Sequence, residues 1–123
     1  MKVAVVLAAL TIAAPTIGYG AIVEPGLEGA WVVDLRLNLD DPPYSKPMRL
    51  EITPQGVVRG EFYEHPIESG RAATQKQRSC FSFRTSDRSG PYETSGCLVG
   101  GKIEGQTWSE ARKFVLPWTA VRP

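Results

Sequence analysis

The side chains best suited to holding a small molecule are four hydroxyls, Thr85, Tyr92, Thr94 and Thr107, and two phenyl rings, Phe62 and Phe83. Threonine and tyrosine hydroxyls both donate and accept hydrogen bonds, so a few of them on an apolar wall orient a ligand that the wall holds by burial. The competing reading is that such hydroxyls bond one another or water in a barrel filled by its own side chains. Other chemistry is sparse. The chain has no nucleophile motif, no glycine-rich phosphate loop and no metal-ligand spacing. His65, the one histidine, precedes Pro66 with no Ser or Cys partner in view, and reads as a surface imidazole rather than a base. Asp40-Asp41 before two prolines reads as a solvated turn, and Arg71, Lys76 and Arg78 as a solvated basic loop. No catalytic residue, metal or cofactor is assigned.

Positioning the six binding candidates requires β-strands. Trp31, Val33, Leu35, Leu37 and Leu39 alternate with polar or outward positions until Asp40-Asp41-Pro42-Pro43, the pattern of a strand with one buried face. Met48, Leu50 and Ile52 repeat it, and Val58, Gly60 and Phe62 follow after Pro54-Gln55-Gly56. Pairing Thr53 with Val57 sets Glu51 opposite Arg59 and Arg49 opposite Glu61, each pair contributing about 0.2–1 kcal/mol, with Ile52 on Val58 and Met48 on Phe62. A turn at Asp87-Arg88-Ser89-Gly90 sets Arg84 opposite Glu93, Ser82 opposite Ser95 and Cys80 opposite Cys97. Register and disulfide thus predict each other, and the bridge lies on the outer face. Gly100-Gly101 makes a further hairpin that pairs Leu98 with Ile103, Gly96 with Gly105 and Thr94 with Thr107. The last strand turns Phe114, Leu116, Trp118 and Ala120 inward, and Pro117 argues for an edge or bulge there. Pro66-Ile67-Glu68 is a doubtful short strand, and Gly70 to Lys76 reads as a mobile loop. The expectation is an all-β, antiparallel up-and-down meander of eight strands closed into a barrel.

The first 20 residues read as a secretory signal: Lys2, an apolar run from Val3 to Ala14 broken only by Thr11, then Pro15 and the small residues Gly18, Gly20 and Ala21. The run is shorter than the roughly 20 residues of a membrane span. A cut after Gly20 leaves residues 21–123 as one domain of about 100 residues, periplasmic or extracellular, in which an oxidised Cys80–Cys97 pair is the default. Its acids and bases balance once Lys2 is removed, which leaves no electrostatic footprint for nucleic acid.

Gly29-Ala30-Trp31 resembles the Gly-x-Trp opening of the calycin barrels, the avidins and lipocalins. The stretch from Glu51 to Tyr63 resembles the second hairpin of an avidin, and Trp118 and Arg122 are similar to the aromatic and Arg that close the barrel bottom in such folds. The resemblance implies a small ligand-holding barrel. The polar set with which avidins hold biotin is not recognisable position by position. With Trp31 and the chain ends at the bottom, the closed end holds Trp31, Ile52, Val58, Leu98, Ile103 and Trp118. The open end holds Leu39, Met48, Phe62, Thr85, Tyr92, Thr107 and Phe114. Inward Gly60, Gly96 and Gly105 leave space for a ligand. The leading reading is an exported barrel that binds a small, largely apolar molecule at its open end. The rival is a protein-interaction module, such as an inhibitor of an exported hydrolase, acting through loops 40–46 and 71–78. An enzyme ranks third, since no acid–base pair is visible.

Overall fold

The structure, a computed structural model, describes Ala4 and residues 26–123; apart from Ala4, the proposed signal and its cut lie outside the described residues. The order is β1 (Gly29–Asp34), β2 (Ser45–Ile52), β3 (Val57–Phe62), β4 (His65–Pro66), β5 (Glu68–Gln75), β6 (Arg78–Asp87), β7 (Gly90–Val99), β8 (Lys102–Ser109) and β9 (Phe114–Val121). Every pairing is antiparallel and joins sequence neighbours, except that β3 also pairs with β5 past the short β4 and β1 pairs with β9 to close the ring. The two residues of β4 lie along β3 next to β5 and share its place, so the barrel has eight strands around its circumference.

The registers predicted from charge and turn chemistry are the observed ones. Arg49 lies opposite Glu61, Glu51 opposite Arg59 and Met48 opposite Phe62. Arg49 bridges to Glu61 at 3.4 Å, and it also pairs with Glu51 along its own strand. Cys80 faces Cys97 and Arg84 faces Glu93, and Leu98, Gly96 and Thr94 face Ile103, Gly105 and Thr107. The Cys80–Cys97 disulfide is formed, with a Cα–Cα separation of 4.0 Å.

Alternation along these strands builds the core. Trp31, Val33, Met48, Leu50, Val58, Phe81, Phe83, Ile103, Trp118 and Ala120 are all buried. At the bottom, the Trp31 indole donates to the Leu27 carbonyl at 2.8 Å, and the Arg122 guanidinium lies 3.8 Å over the Trp31 ring. Arg122 also donates to the carbonyls of Gly26 and Ala30, tying the two ends of the domain together. Gly29 has a φ of +107°, which calls for glycine there; a Cβ would also stand 2.9 Å from the Arg122 guanidinium, a contact the flexible arginine can relieve by shifting.

Four expectations are corrected. First, β1 ends at Asp34, and Leu37 and Leu39 are 79% and 86% exposed rather than inward. Local side-chain bonds win over alternation here. Asp34 accepts from the Arg36 backbone and guanidinium, Arg36 donates to the Leu39 carbonyl, and Asp41 accepts from the Asn38 N–H. Second, Gly70 to Gln75 is strand, not loop. Its hairpin turn, Lys76-Gln77, has positive φ at both residues (51° and 62°), a primed turn made without glycine. The 71–78 loop of the rival reading is therefore a paired hairpin. Third, the inward glycines hold no spare room. A Cβ on Gly105 would stand 2.5 Å from the Trp118 ring, and one on Gly96 would stand 2.9 Å from both Phe81 and Ile103. Gly60, at φ +125°, lies directly against the Arg49 carbonyl. Fourth, with Leu39 on the loop, the mouth carries Leu35 and Leu116 in its place.

Pro117 sits where an edge was expected. β1 pairs with β9 only from Thr119 to Val121, so Phe114 to Pro117 are paired with β8 alone. The barrel wall opens there toward its mouth.

Candidate functional site

The core in the middle of the barrel is packed by its own side chains. A depression of about 640 Å³, more open and more polar than the mouth, lies at the Trp31 end, bordered by Leu27, Ile52, Ala72 and Leu98 and by the turns that carry Gly56, Gln77 and Gly100. A cleft of about 720 Å³ opens at the end away from Trp31. Its apolar lining is Leu35, Phe62, Phe114 and Leu116. Beneath it, the Phe62 ring packs at 5.6 Å on Phe83 and at 5.8 Å on Trp118, and Phe83 stacks on Phe81 at 5.5 Å. This aromatic layer separates the cleft from the core below.

Of the six binding candidates, Phe62, Thr85, Tyr92 and Thr107 line the cleft. Thr85 and Tyr92 are cross-strand partners on β6 and β7, and Thr107 is one strand further on. Thr94 and Phe83 lie below, each 1% exposed. The Thr94 and Thr107 hydroxyls are 3.0 Å apart, and Thr107 also accepts from the Trp118 indole at 3.0 Å. Thr94 and Thr107 are thus tied into a buried polar network that fixes the aromatic layer. Tyr92 reaches outward instead: its hydroxyl donates to Asp87 at 2.8 Å and accepts from Arg112 at 3.3 Å.

Three further cleft residues, His65, Asp87 and Arg112, escaped the reading of the sequence. Each is placed by a turn. Tyr63 and Glu64 have φ of 53° and 65°, a primed two-residue turn that pairs Phe62 with His65 and stacks the imidazole on Tyr63. Asp87 opens the β6–β7 turn, where its carboxylate also accepts the Ser89 N–H at 2.7 Å. Arg112 lies in the β8–β9 turn, which the buried Ser109 hydroxyl holds by accepting the Arg112 N–H at 3.1 Å. The Arg112 guanidinium then lies 5.3 Å over the Phe114 ring. The only hint in the sequence was Ser109 three residues before Arg112, a common turn pattern with no mark of a site.

The electrostatics follow from these contacts. The Tyr92 hydroxyl holds the Asp87 carboxyl below its ordinary pKa against the opposing effect of desolvation, with lesser help from the Ser89 N–H and the charges of His65 and Arg112. Across the mouth, Tyr44 and Tyr63 share a hydrogen bond between their hydroxyls, which raises the Tyr63 pKa, and the Lys46 ammonium lies over both rings. Asp34 is held below its ordinary pKa by Arg36. Among the described residues, no group of three or more His, Cys, Asp or Glu side chains comes together, and no helix is long and apolar enough to cross a membrane.

Comparison with protein-family models, with curated proteins and with solved structures finds no match to this chain. The site is therefore read from its own geometry.

Proposed function

We propose that this is an exported barrel of calycin type that binds a small, largely apolar molecule in the cleft at its mouth. The observation that carries the reading is the division of the interior. The middle is filled by its own side chains, while the upper end is a cleft of about 720 Å³ with an apolar floor and polar groups at its rim. The depression of about 640 Å³ at the opposite end is bordered largely by turn residues such as Thr53, Gly56, Gln77, Gly100 and Gly101 and has no such floor. Small-molecule sites have this size and this mix of lining. Closed ring, Gly-x-Trp opening and Arg122 beneath Trp31 support the calycin type, and the disulfide supports an oxidising compartment. Thr85 and Tyr92 orient the ligand, Phe62 gives an apolar wall, and Thr94, Thr107 and Phe83 support the wall from below.

The test is a screen of the purified protein against fluorescent fatty-acid analogues, retinoids and biotin-like heterocycles. Any hit is repeated with Leu116→Asp, which puts a negative charge on the cleft wall. Binding is expected in the wild type and weakened at least about tenfold in the variant, since an unpaired charge on an apolar surface costs more than 1.4 kcal/mol. Binding that persists at full affinity in Leu116→Asp would remove the mouth as the site.

The interaction-module reading retains one supporting observation. Leu37, Leu39 and Tyr44, on the loop between β1 and β2, are exposed at 79%, 86% and 44%. Apolar side chains grouped on one protruding loop are a surface for a protein partner. Retention of a protein partner by the wild type, lost in Leu39→Ser, which lies outside the cleft lining, would favour it.

A further inference from the structure

The cations around the mouth are not equally committed. Arg36 is held by Asp34 through Nε and Nη2 and by the Leu39 carbonyl through Nη1. Lys46 is turned onto the Tyr44 and Tyr63 rings and does not border the cleft. Arg112 does border it, and among the described residues no carboxylate lies within salt-bridge reach of its guanidinium. Its side-chain partners are neutral: Nη1 donates to the Tyr92 hydroxyl, and the face of the group lies over Phe114. Tyr92 on one side, the Phe114 ring below and the Ser109-braced turn behind hold the guanidinium in place at the cleft wall. The remaining edge, Nε and Nη2, presents the fork that matches a carboxylate.

We propose that the ligand of the mouth cleft is an amphiphile with a single carboxylate, its apolar tail on Phe62 and Leu116 and its head on Arg112. This rests on the small-molecule reading above and specifies its ligand class. The limit to one negative charge comes from the other groups at the rim. Asp87, bridged to Arg112 through the Tyr92 hydroxyl, and Asp41 both border the same cleft, so a doubly charged phosphate head would meet two carboxylates for one cation that has no direct salt-bridge partner. A carboxylate replaces the water on the guanidinium edge without adding a second charge.

The experiment is competition against a neutral fluorescent probe, N-phenyl-1-naphthylamine, by decanoic acid, 1-decanol and decyl phosphate at about pH 7, where the carboxylic acid is ionised. Decanoate is expected to displace the probe at least roughly tenfold more tightly than decanol, the worth of a hydrogen bond to a charged group. It is also expected to outcompete decyl phosphate. The ratio of acid to alcohol affinity is expected to fall toward one in Arg112→Gln and to recover in part in Arg112→Lys, which keeps the charge but not the fork. Equal displacement by acid and alcohol would overturn this inference and leave the small-molecule reading standing. So would an acid preference that survives Arg112→Gln, or tighter binding of the phosphate. No binding of probe or competitors would overturn both.

Discussion

Single side chains divide between those that hold the barrel and those left to face a ligand. Trp31 belongs to the first group: it is 1% exposed, donates to Leu27 and lies beneath Arg122. Trp31→Ala is expected to cost about 3–5 kcal/mol in chemical denaturation; a change within about half a kcal/mol would show that the indole does not seal the barrel bottom. Thr107 belongs there too. Thr107→Val strands the Thr94 hydroxyl and the Trp118 indole N–H in a buried layer, and a loss of about 1–3 kcal/mol is expected. Thr85→Val, by contrast, is expected to alter ligand affinity more than stability, since Thr85 lines the cleft. The sequence placed Thr94 opposite Thr107 because a glycine turn fixed their hairpin, and the competing reading, that the hydroxyls bond one another, holds for this pair. What it did not show is the Trp118 indole on Thr107, because that indole comes from β9, whose register no charge pair or glycine turn sets.

Turn chemistry, at the scale of the element, decided what was legible. Hairpins with a glycine turn or facing charges were read in register, down to the Cys80–Cys97 bridge. The hairpins turning at Tyr63-Glu64 and Lys76-Gln77 were not, because non-glycine residues with positive φ leave no mark in the sequence. The missed Tyr63-Glu64 turn builds one side of the mouth, which is why His65 was taken for a surface residue, while Lys76-Gln77 lies at the opposite end. Unreduced protein is expected to be two hydrogens lighter than the dithiol form by mass spectrometry. Reduction is expected to cost on the order of 3 kcal/mol for a loop of this length, and free thiols in exported protein would contradict the pairing. The turns that carry Asp34 and Asp87 make a pH prediction. Both carboxyls have folded pKa values below the unfolded value of about 3.9, so their contribution is fully present above that value and is lost as pH falls through the folded pKa. The melting temperature is expected to drop as pH is lowered below about 4, and less steeply in the double variant Asp34→Asn/Asp87→Asn. An equal slope in both proteins would show that these two carboxylates do not couple to folding.

For the whole molecule, one axis organises everything. Chain ends, Arg122 and Trp31 seal one end, an aromatic layer braced by Thr107 crosses the middle, and the other end stays open beside the unpaired part of β9. Alternation and hairpin order were enough to foresee the closed eight-stranded barrel. The charged rim was not foreseeable, because it is assembled from three separate turns that meet only when the ring closes. The central claim, that the mouth rather than the outer surface takes the ligand, is tested most directly by titrating ¹⁵N- and methyl-labelled protein with N-phenyl-1-naphthylamine and following the NMR spectrum. The account predicts shifts concentrated at Leu35, Phe62, Thr85, Tyr92 and Leu116, with the Trp31 and Ile103 signals unmoved. Shifts confined to residues outside the cleft, such as Leu39, Val99 and Val121, or no shifts at concentrations where the probe is soluble, would contradict it.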